Sequence, residues 1–345
     1  MKTAVYSARR YDQTLLLRAN AQSGAGHELV FLQDRLDSGT AQLCSGCEAV
    51  AAFVNDDLGA PVLERLAAQG IRFVTTRSTG FNHIDIQAAR RLDITVARVA
   101  DYSPYSVAEF AVGLLLAVNR KIARASMRTR EGNFELDGLM GFDLHGKTVG
   151  VIGTGKIGAL FARIMAGFGC TVLGSDVHRN PDFEALGGRY VEREALFAAS
   201  DVISLHCPLT EATRYLVNAQ TLAVTKPGCI LVNTSRGALV DTEAAIAALK
   251  SGQLRGLAID VYEQEASLFF QDLSSTIITD DVIQRLVSFP NVIVTGHQAF
   301  FTEEAIGQIM QTTIDNLSDF AAGASSGNAW WPDRRAAFSP PCRGY

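Results

Sequence analysis

No run of lysine and arginine in this chain exceeds a pair, and 36 acidic residues against 31 basic ones leave a formal net charge of −5. A surface of that balance lacks the cationic stripe that neutralises a phosphate backbone, so nucleic acid is excluded from the expected partners. Missing too is any apolar span of about 18 residues, the length a membrane-crossing helix needs. The opening residues, Met1-Lys2-Thr3-Ala4-Val5-Tyr6, read as a short strand and not as the apolar core of a signal peptide. A cytoplasmic protein with no membrane partner is expected. Cysteine is sparse, and the six present (44, 47, 170, 207, 229 and 342) are scattered, several in strand-like runs where a thiol behaves as a small hydrophobe. That excludes a disulfide framework. Cys44-Ser45-Gly46-Cys47 has redox-motif spacing, but no second pair or nearby histidine completes a zinc site, and no metal is expected.

What is abundant is material for cores: 48% of the 345 residues are hydrophobic and 19% charged, which fits a globular chain of two ordinary domains with a cleft. Short β-branched or apolar runs at 3–6, 28–32, 50–54, 71–75 and 94–97 alternate with helical segments, the pattern of an open parallel sheet covered on both faces. Ser103-Pro104 then supplies a cap and a first helical residue for a helix expected to reach about Arg130. Its apolar face could join two domains or form an isologous contact between copies. A second α/β series follows at 148–152, 171–175, 202–205, 229–233, 257–260 and 292–295. An amphipathic helix from Thr302 to about Ala322 is expected to pack back on the first domain. The expected architecture is α/β, with two Rossmann-like or flavodoxin-like parallel-sheet domains and a site in the cleft between them. The boundaries read as 1–102 plus 298–327 for a substrate domain, 103–297 for a nucleotide domain, and 328–345 for a C-terminal extension, whose Trp330 and Trp331 could dock on a neighbouring surface.

The nucleotide assignment starts from Gly153-Thr154-Gly155-Lys156-Ile157-Gly158, which directly follows the buried-strand run Val149-Gly150-Val151-Ile152 and precedes a helical pattern. In such a turn Gly153 permits the tight bend, Gly155 lets the backbone approach a diphosphate, and Gly158 lets helix and strand pack closely. Asp176 ends the next strand, 18 residues after Gly158, where a carboxylate accepts both ribose hydroxyls and repels a 2′-phosphate. NAD is therefore expected over NADP, although His178 and Arg179 leave room for some NADP tolerance.

Reducing a 2-keto acid takes a cation to hold the carboxylate and polarise the ketone, a proton donor for the developing alkoxide, and a hydride source. Arg236, in Val232-Asn233-Thr234-Ser235-Arg236-Gly237, and His297, in Thr295-Gly296-His297-Gln298-Ala299-Phe300, each lie just past a strand, where open α/β sheets bind ligands. Glu265 is the candidate carboxylate that would favour the protonated histidine. Asp260, ending another strand, could hydrogen-bond the cofactor or steady the site. His206 also follows a strand, but without an acidic partner beside it a structural role is the plainer reading.

Together these segments make the chain similar to the NAD-dependent D-2-hydroxyacid dehydrogenases, and among them to the fermentative D-lactate dehydrogenases of bacteria, over about residues 1–327. Further matching stretches are Phe53-Val54-Asn55-Asp56-Asp57, Thr79-Gly80-Phe81-Asn82, Ala100-Asp101-Tyr102-Ser103-Pro104, His206-Cys207-Pro208-Leu209-Thr210, Asp260-Val261-Tyr262-Glu263 and Leu268-Phe269-Phe270-Gln271-Asp272. The resemblance implies that Arg236 binds the substrate carboxylate, His297 is the acid/base, and Glu265 supports it. It further implies that Lys156, Ile157, Asp176, Cys207, Pro208, Thr213, Thr234, Ser235, Arg236 and Asp260 line the NAD site. Thr213 stands where relatives often carry asparagine. Backbone N–H groups near Thr79 and Gly80 would hold the carboxylate, with Phe53, Tyr102 and Phe300 around a small side chain, which favours pyruvate and D-lactate. Reductases of hydroxypyruvate, phenylpyruvate or glyoxylate, or an NAD-sensing corepressor-like binding protein, are the alternatives. A homo-oligomer is expected.

Overall fold

The computed structural model of the protein describes residues 1–324 and 327–329. Two compact units divide the chain, Met1–Ser103 with the described residues from Thr302 onward, and Pro104–Phe301. In the first, β1 (Lys2–Val5), α1 (Arg10–Ser23), β2 (Glu28–Phe31), β3 (Ala49–Ala52), α2 (Ala60–Ala68), β4 (Phe73–Thr76), α3 (Ile86–Arg91) and β5 (Thr95–Ala97) alternate as expected. The sheet order is β2-β1-β3-β4-β5, every pair parallel. β3 and β4 are buried at every position, because helices cover both faces and their sequences are correspondingly small, apolar or threonine. Strand order reverses between β1 and β3, which makes their carboxyl ends the switch point of this sheet.

The second unit begins with a departure from the sequence reading. The expected single helix is two, α4 (Pro104–Asn119) and α5 (Ile122–Arg130), because Lys121 adopts a left-handed backbone at φ 52°, which no α-helix continues. α4 buries Ala108, Ala111, Leu114, Leu115 and Val118 in the core of this unit, against Val149, Val151, Phe161 and Met165. α5 buries none of its residues. Then follow β6 (Thr148–Ile152), α6 (Lys156–Gly167), β7 (Thr171–Ser175), α7 (Pro181–Ala185), β8 (Arg189–Tyr190), α8 (Arg193–Ala199), β9 (Val202–Leu205), α9 (Ala219–Ala223), β10 (Cys229–Asn233), α10 (Thr242–Ser251), β11 (Leu254–Ile259), α11 (Asp281–Val287) and β12 (Val292–Val294). They form a parallel sheet of order β12-β11-β10-β9-β6-β7-β8, reversing between β6 and β9. The two-residue β8 at its edge was not anticipated.

α12 (Glu303–Ala321), capped by the Thr302 hydroxyl, belongs to the first unit and packs on α1 and β4, with Phe320 stacked on Phe73 at 4.5 Å. Beyond it Ala329 bridges Ala97 in antiparallel fashion and the Asn328 side-chain amide donates to Asn316. The rest of the expected extension, including Trp330 and Trp331, lies outside the described residues. No described helix is long and apolar enough to cross a membrane.

Candidate active site

The glycine turn sits at the switch point of the second sheet, between the carboxyl end of β6 and the start of α6. Gly153 has φ 89°, and a Cβ there would meet the His206 and Cys207 backbone at 2.5 Å. A Cβ on Gly158 would stand 1.9 Å from the Gly153 carbonyl oxygen, so the helix can start this close to the strand only without one. At Gly155, by contrast, nothing lies within 4 Å of where a Cβ would point: the space above the N-terminus of α6 is open. Lys156 is exposed beside it and Ile157 half-buried. Asp176 follows β7, exposed, its Oδ2 accepting from the Thr154 N–H at 2.6 Å and its Oδ1 from the His178 N–H at 3.0 Å.

Across the switch point, Ser235 Oγ donates to the Cys207 carbonyl at 2.6 Å and links the loops after β9 and β10. Thr213 Oγ1 donates to the Pro208 carbonyl at 2.7 Å and closes the loop between them. Burial pushes the Cys207 thiol up to about 11. Thr234 Oγ1 is buried, with no hydrogen-bond partner among the described residues. A buried hydroxyl normally has one, so this oxygen points to a polar ligand group beside β10. The open helix terminus, the exposed carboxylate after β7 and the orphaned hydroxyl fit a dinucleotide.

Asp260, fully buried at the end of β11, accepts on Oδ1 from Thr295 Oγ1 at 2.5 Å and the Gln298 N–H at 2.9 Å, and on Oδ2 from the Ala299 N–H at 2.8 Å. Its carbonyl takes the His297 N–H at 2.8 Å. These four bonds hold the turn in which His297 adopts φ 56°. Burial raises the Asp260 carboxyl against the pull of its donors.

His297 Nδ1 lies 2.8 Å from Glu265 Oε1, while Glu265 Oε2 accepts from the Tyr262 N–H at 3.0 Å. Both side chains are mostly buried, at 16% and 24% exposure. Phe270 flanks the imidazole at 5.8 Å between ring centres, and Phe300 meets it edge-on at 6.4 Å. With Nδ1 engaged by a carboxylate, Nε2 is the atom left to exchange a proton with a ligand. Arg236 follows β10, half-buried, and its Nη1 donates to the Ser235 carbonyl at 2.7 Å. No described carboxylate pairs with it, which leaves donors of its fork for an anion. Gly237 packs this loop against the one carrying Glu265: a Cβ there would lie 2.1 Å from the Tyr262 carbonyl carbon.

His206 is not part of this cluster. Its Nε2 meets Ser204 Oγ at 2.8 Å and its ring packs on Phe161, and burial lowers its pKa to about 3.

The remaining candidates belong to the first unit. Phe53, buried at the end of β3, donates its N–H to Asp56 Oδ2 at 2.6 Å. The buried Asp56 also takes Ser7 Oγ at 2.6 Å and the Leu36 N–H at 2.8 Å. Arg77 pairs with Asp12 in the interior and lies over the Phe53 ring. After β4, the Thr79 and Gly80 carbonyls accept from Arg98 Nη1 at 3.2 Å and Ser78 Oγ at 2.9 Å, while neither residue's N–H is taken by another described residue. Tyr102 is half-buried beyond β5. Thr154, Tyr190, Thr295, Gly237 and the Tyr262 amide are site residues that the sequence reading did not single out.

A family described as "D-isomer specific 2-hydroxyacid dehydrogenase, NAD binding domain" matches residues 112–299. The chain is 49% identical over 325 residues to a 2-hydroxyacid dehydrogenase homolog of Zymomonas mobilis, covering 94% of this chain and 98% of that one. It is 48% identical over 328 residues to the D-lactate dehydrogenase of Escherichia coli, 95% of this chain and 99% of that one. Among solved structures, the apo form of the Escherichia coli D-lactate dehydrogenase superposes with a TM-score of 0.88 at 46% identity, covering 96% of this chain and all of that one. The pyruvate reductase of Chlamydomonas reinhardtii superposes at 0.89 with 40% identity, covering 95% and 98%.

Proposed function

The chain belongs to the D-isomer specific 2-hydroxyacid dehydrogenases and is an NAD-dependent oxidoreductase, and from that premise we propose that it reduces pyruvate to D-lactate, reversibly. The observation that carries the mechanism is the 2.8 Å contact between His297 Nδ1 and Glu265 Oε1 beside an arginine without a carboxylate partner. Arg236 holds the keto-acid carboxylate with its planar fork and lowers the cost of charge building on the ketone oxygen. His297, held through Nδ1 by Glu265, gives a proton from Nε2 to that oxygen, and in the reverse direction takes it back. When bound, NAD would supply the hydride for the substrate carbon and take it back in the reverse direction. Gly153, Gly155, Lys156, Ile157 and Gly158 receive its diphosphate. Asp176 would receive the adenosine ribose, and Cys207, Pro208, Thr213, Thr234, Ser235 and Asp260 would line the rest of the NAD site. The N–H groups of Thr79 and Gly80, free among the described residues, would hold the substrate carboxylate, and Phe53, Tyr102 and Phe300 would favour a small side chain.

We also propose a homo-oligomer working in the cytoplasm. The five cysteines among the described residues are all free, which suits a reducing compartment. Ile122, Met127, Phe134, Leu136 and Met140 are all exposed on α5 and the segment after it, a concentration of exposed apolar side chains that a partner copy could cover.

The test is the initial rate of NADH oxidation with pyruvate beside a panel of larger 2-keto acids, with the chirality of the product determined. Rapid formation of D-lactate is expected. L-lactate, or brisk use of a larger keto acid with slow use of pyruvate, overturns the substrate assignment. Light scattering should give a multiple of the 37.1 kDa chain mass, and a monomer overturns the oligomer.

A further inference from the structure

The preference for NAD over its 2′-phosphorylated form is ordinarily read from one acidic residue, yet here that residue is the end of a chain of hydrogen bonds beginning on the sheet edge. Tyr190 lies in the two-residue β8, paired with Gly174 of β7. Its hydroxyl accepts the Asn180 N–H at 2.8 Å and lies 2.6 Å from Thr154 Oγ1. Since Asn180 already donates to Tyr190, the Tyr190 proton is free to point at Thr154. The Thr154 hydroxyl, 3.3 Å from Asp176 Oδ2, then points its own proton at the carboxylate. Thr154 also gives that oxygen its backbone N–H at 2.6 Å, and Asn180 Nδ2 closes the ring on the Thr154 carbonyl at 2.7 Å. Thr154 is fully buried, and its methyl carbon lies where a Cβ on Gly174 would come to 3.0 Å, so the glycine is what admits this side chain.

We propose that Tyr190, acting through Thr154 and Asn180, is a positioning residue that fixes the orientation of Asp176 and so sets the discrimination between NAD and NADP. Two donors from Thr154 occupy Oδ2 and one from His178 occupies Oδ1, which leaves one acceptor site on Oδ1 for a ribose hydroxyl and none that suits a phosphate. The same tyrosine restrains a neighbouring cation: the Arg179 guanidinium lies 4.9 Å over its ring and is paired with Glu184. A carboxylate free to rotate would both lose the ribose hydroxyl and cease to repel a 2′-phosphate. The argument rests on Asp176 receiving the adenosine ribose, as in the proposed function.

Isothermal titration of the whole protein with NADH, NADPH and ADP-ribose tests it without turnover. Tyr190→Phe keeps the ring under Arg179 and removes only the hydroxyl. NADH and ADP-ribose should bind about 3–10-fold more weakly, as expected for one lost hydrogen bond, while NADPH changes little and the preference for NADH contracts. Thr154→Val should do the same and Thr154→Ser should keep the wild-type ratio. An unchanged NADH-to-NADPH ratio in Tyr190→Phe overturns the proposal, whether no affinity moves or all weaken together. Asp176→Ala separates the premise from the inference. If it leaves the ratio unchanged, the ribose assignment itself fails; if it collapses the ratio while Tyr190→Phe does not, only the role of Tyr190 fails.

Discussion

Glu265→Gln is the sharpest perturbation of the proposed chemistry, because two donors converge on this carboxylate. Oε1 faces His297 Nδ1 at 2.8 Å and Oε2 faces the Tyr262 N–H at 3.0 Å. Glutamine has one oxygen and one NH2 in those places. If its oxygen stays with the histidine, the NH2 confronts a backbone N–H. If it stays with the backbone, the imidazole Nδ1–H loses its acceptor. Either way the imidazolium formed during turnover loses a charge-assisted bond, worth ~1.5–3 kcal/mol for a hydrogen bond to a charged group. Converted to rate, that is a fall of about 10–150-fold. The loss belongs to proton transfer, so it should appear in kcat with pyruvate while NADH affinity by fluorescence titration stays near wild type. A variant within about twofold of wild type in kcat, or one whose whole defect lies in KM, would refute the assignment of Glu265 as the partner of the acid/base.

Three further outcomes are expected. Gly237→Ala puts a carbon 2.1 Å from the Tyr262 carbonyl carbon, so the Arg236 and Glu265 loops must part, with a cost of at least about 1–3 kcal/mol. Steady-state rates and melting should both fall, and an unchanged pair of values contradicts the packing. The pKa of His206, at about 3, lies below its unfolded value, so the unfolded chain binds the extra proton, and stability from this residue is present above pH 6.5 and lost as pH falls towards 3. Between pH 7 and 5 this amounts to about 1–2 kcal/mol by urea unfolding, a loss that His206→Gln should lack; equal pH slopes for the two proteins would sink it. Burial raises the thiols of Cys44, Cys47, Cys170, Cys207 and Cys229, and at pH 8 a thiol with a pKa of about 11, as at Cys207, is roughly one part in a thousand thiolate. Iodoacetamide should label these five far more slowly in the native protein than in urea. Fast native labelling of Cys44 or Cys47 would restore a redox role for that pair.

What could be read from the sequence was whatever depends on residues close together along it. The strand, glycine turn and helix around Gly153 follow one another directly, and burial on both sheet faces makes the strands legible as apolar runs. The positions of Asp176, Arg236 and His297 just past strands followed from the same pattern. What escaped notice depends on the third dimension. β8 has two residues and no periodicity, so Tyr190 reads as a loop tyrosine until the sheet brings it to Thr154, 36 residues away. Lys121 breaks the long helix with a left-handed backbone that no glycine or proline announces. Gly237 looks like a loop glycine because the backbone it must admit, at Tyr262 and Glu263, comes from another strand's loop. Asp260 was open between two roles because its donors, Gln298 and Ala299, are distant in sequence.

The left-handed backbone of His297 bears on how its chemistry is dissected. Asparagine, aspartate and histidine are several-fold enriched at positive φ, whereas alanine is not, a difference of up to about 1 kcal/mol. An alanine scan at this position therefore mixes the missing proton donor with a turn that no longer holds its shape, and overstates the share due to proton transfer. His297→Asn tolerates φ 56° and can still give its N–H to the Asp260 carbonyl, but carries no exchangeable acid group. The gap in rate between the asparagine and alanine variants would then measure what the backbone alone contributes to catalysis.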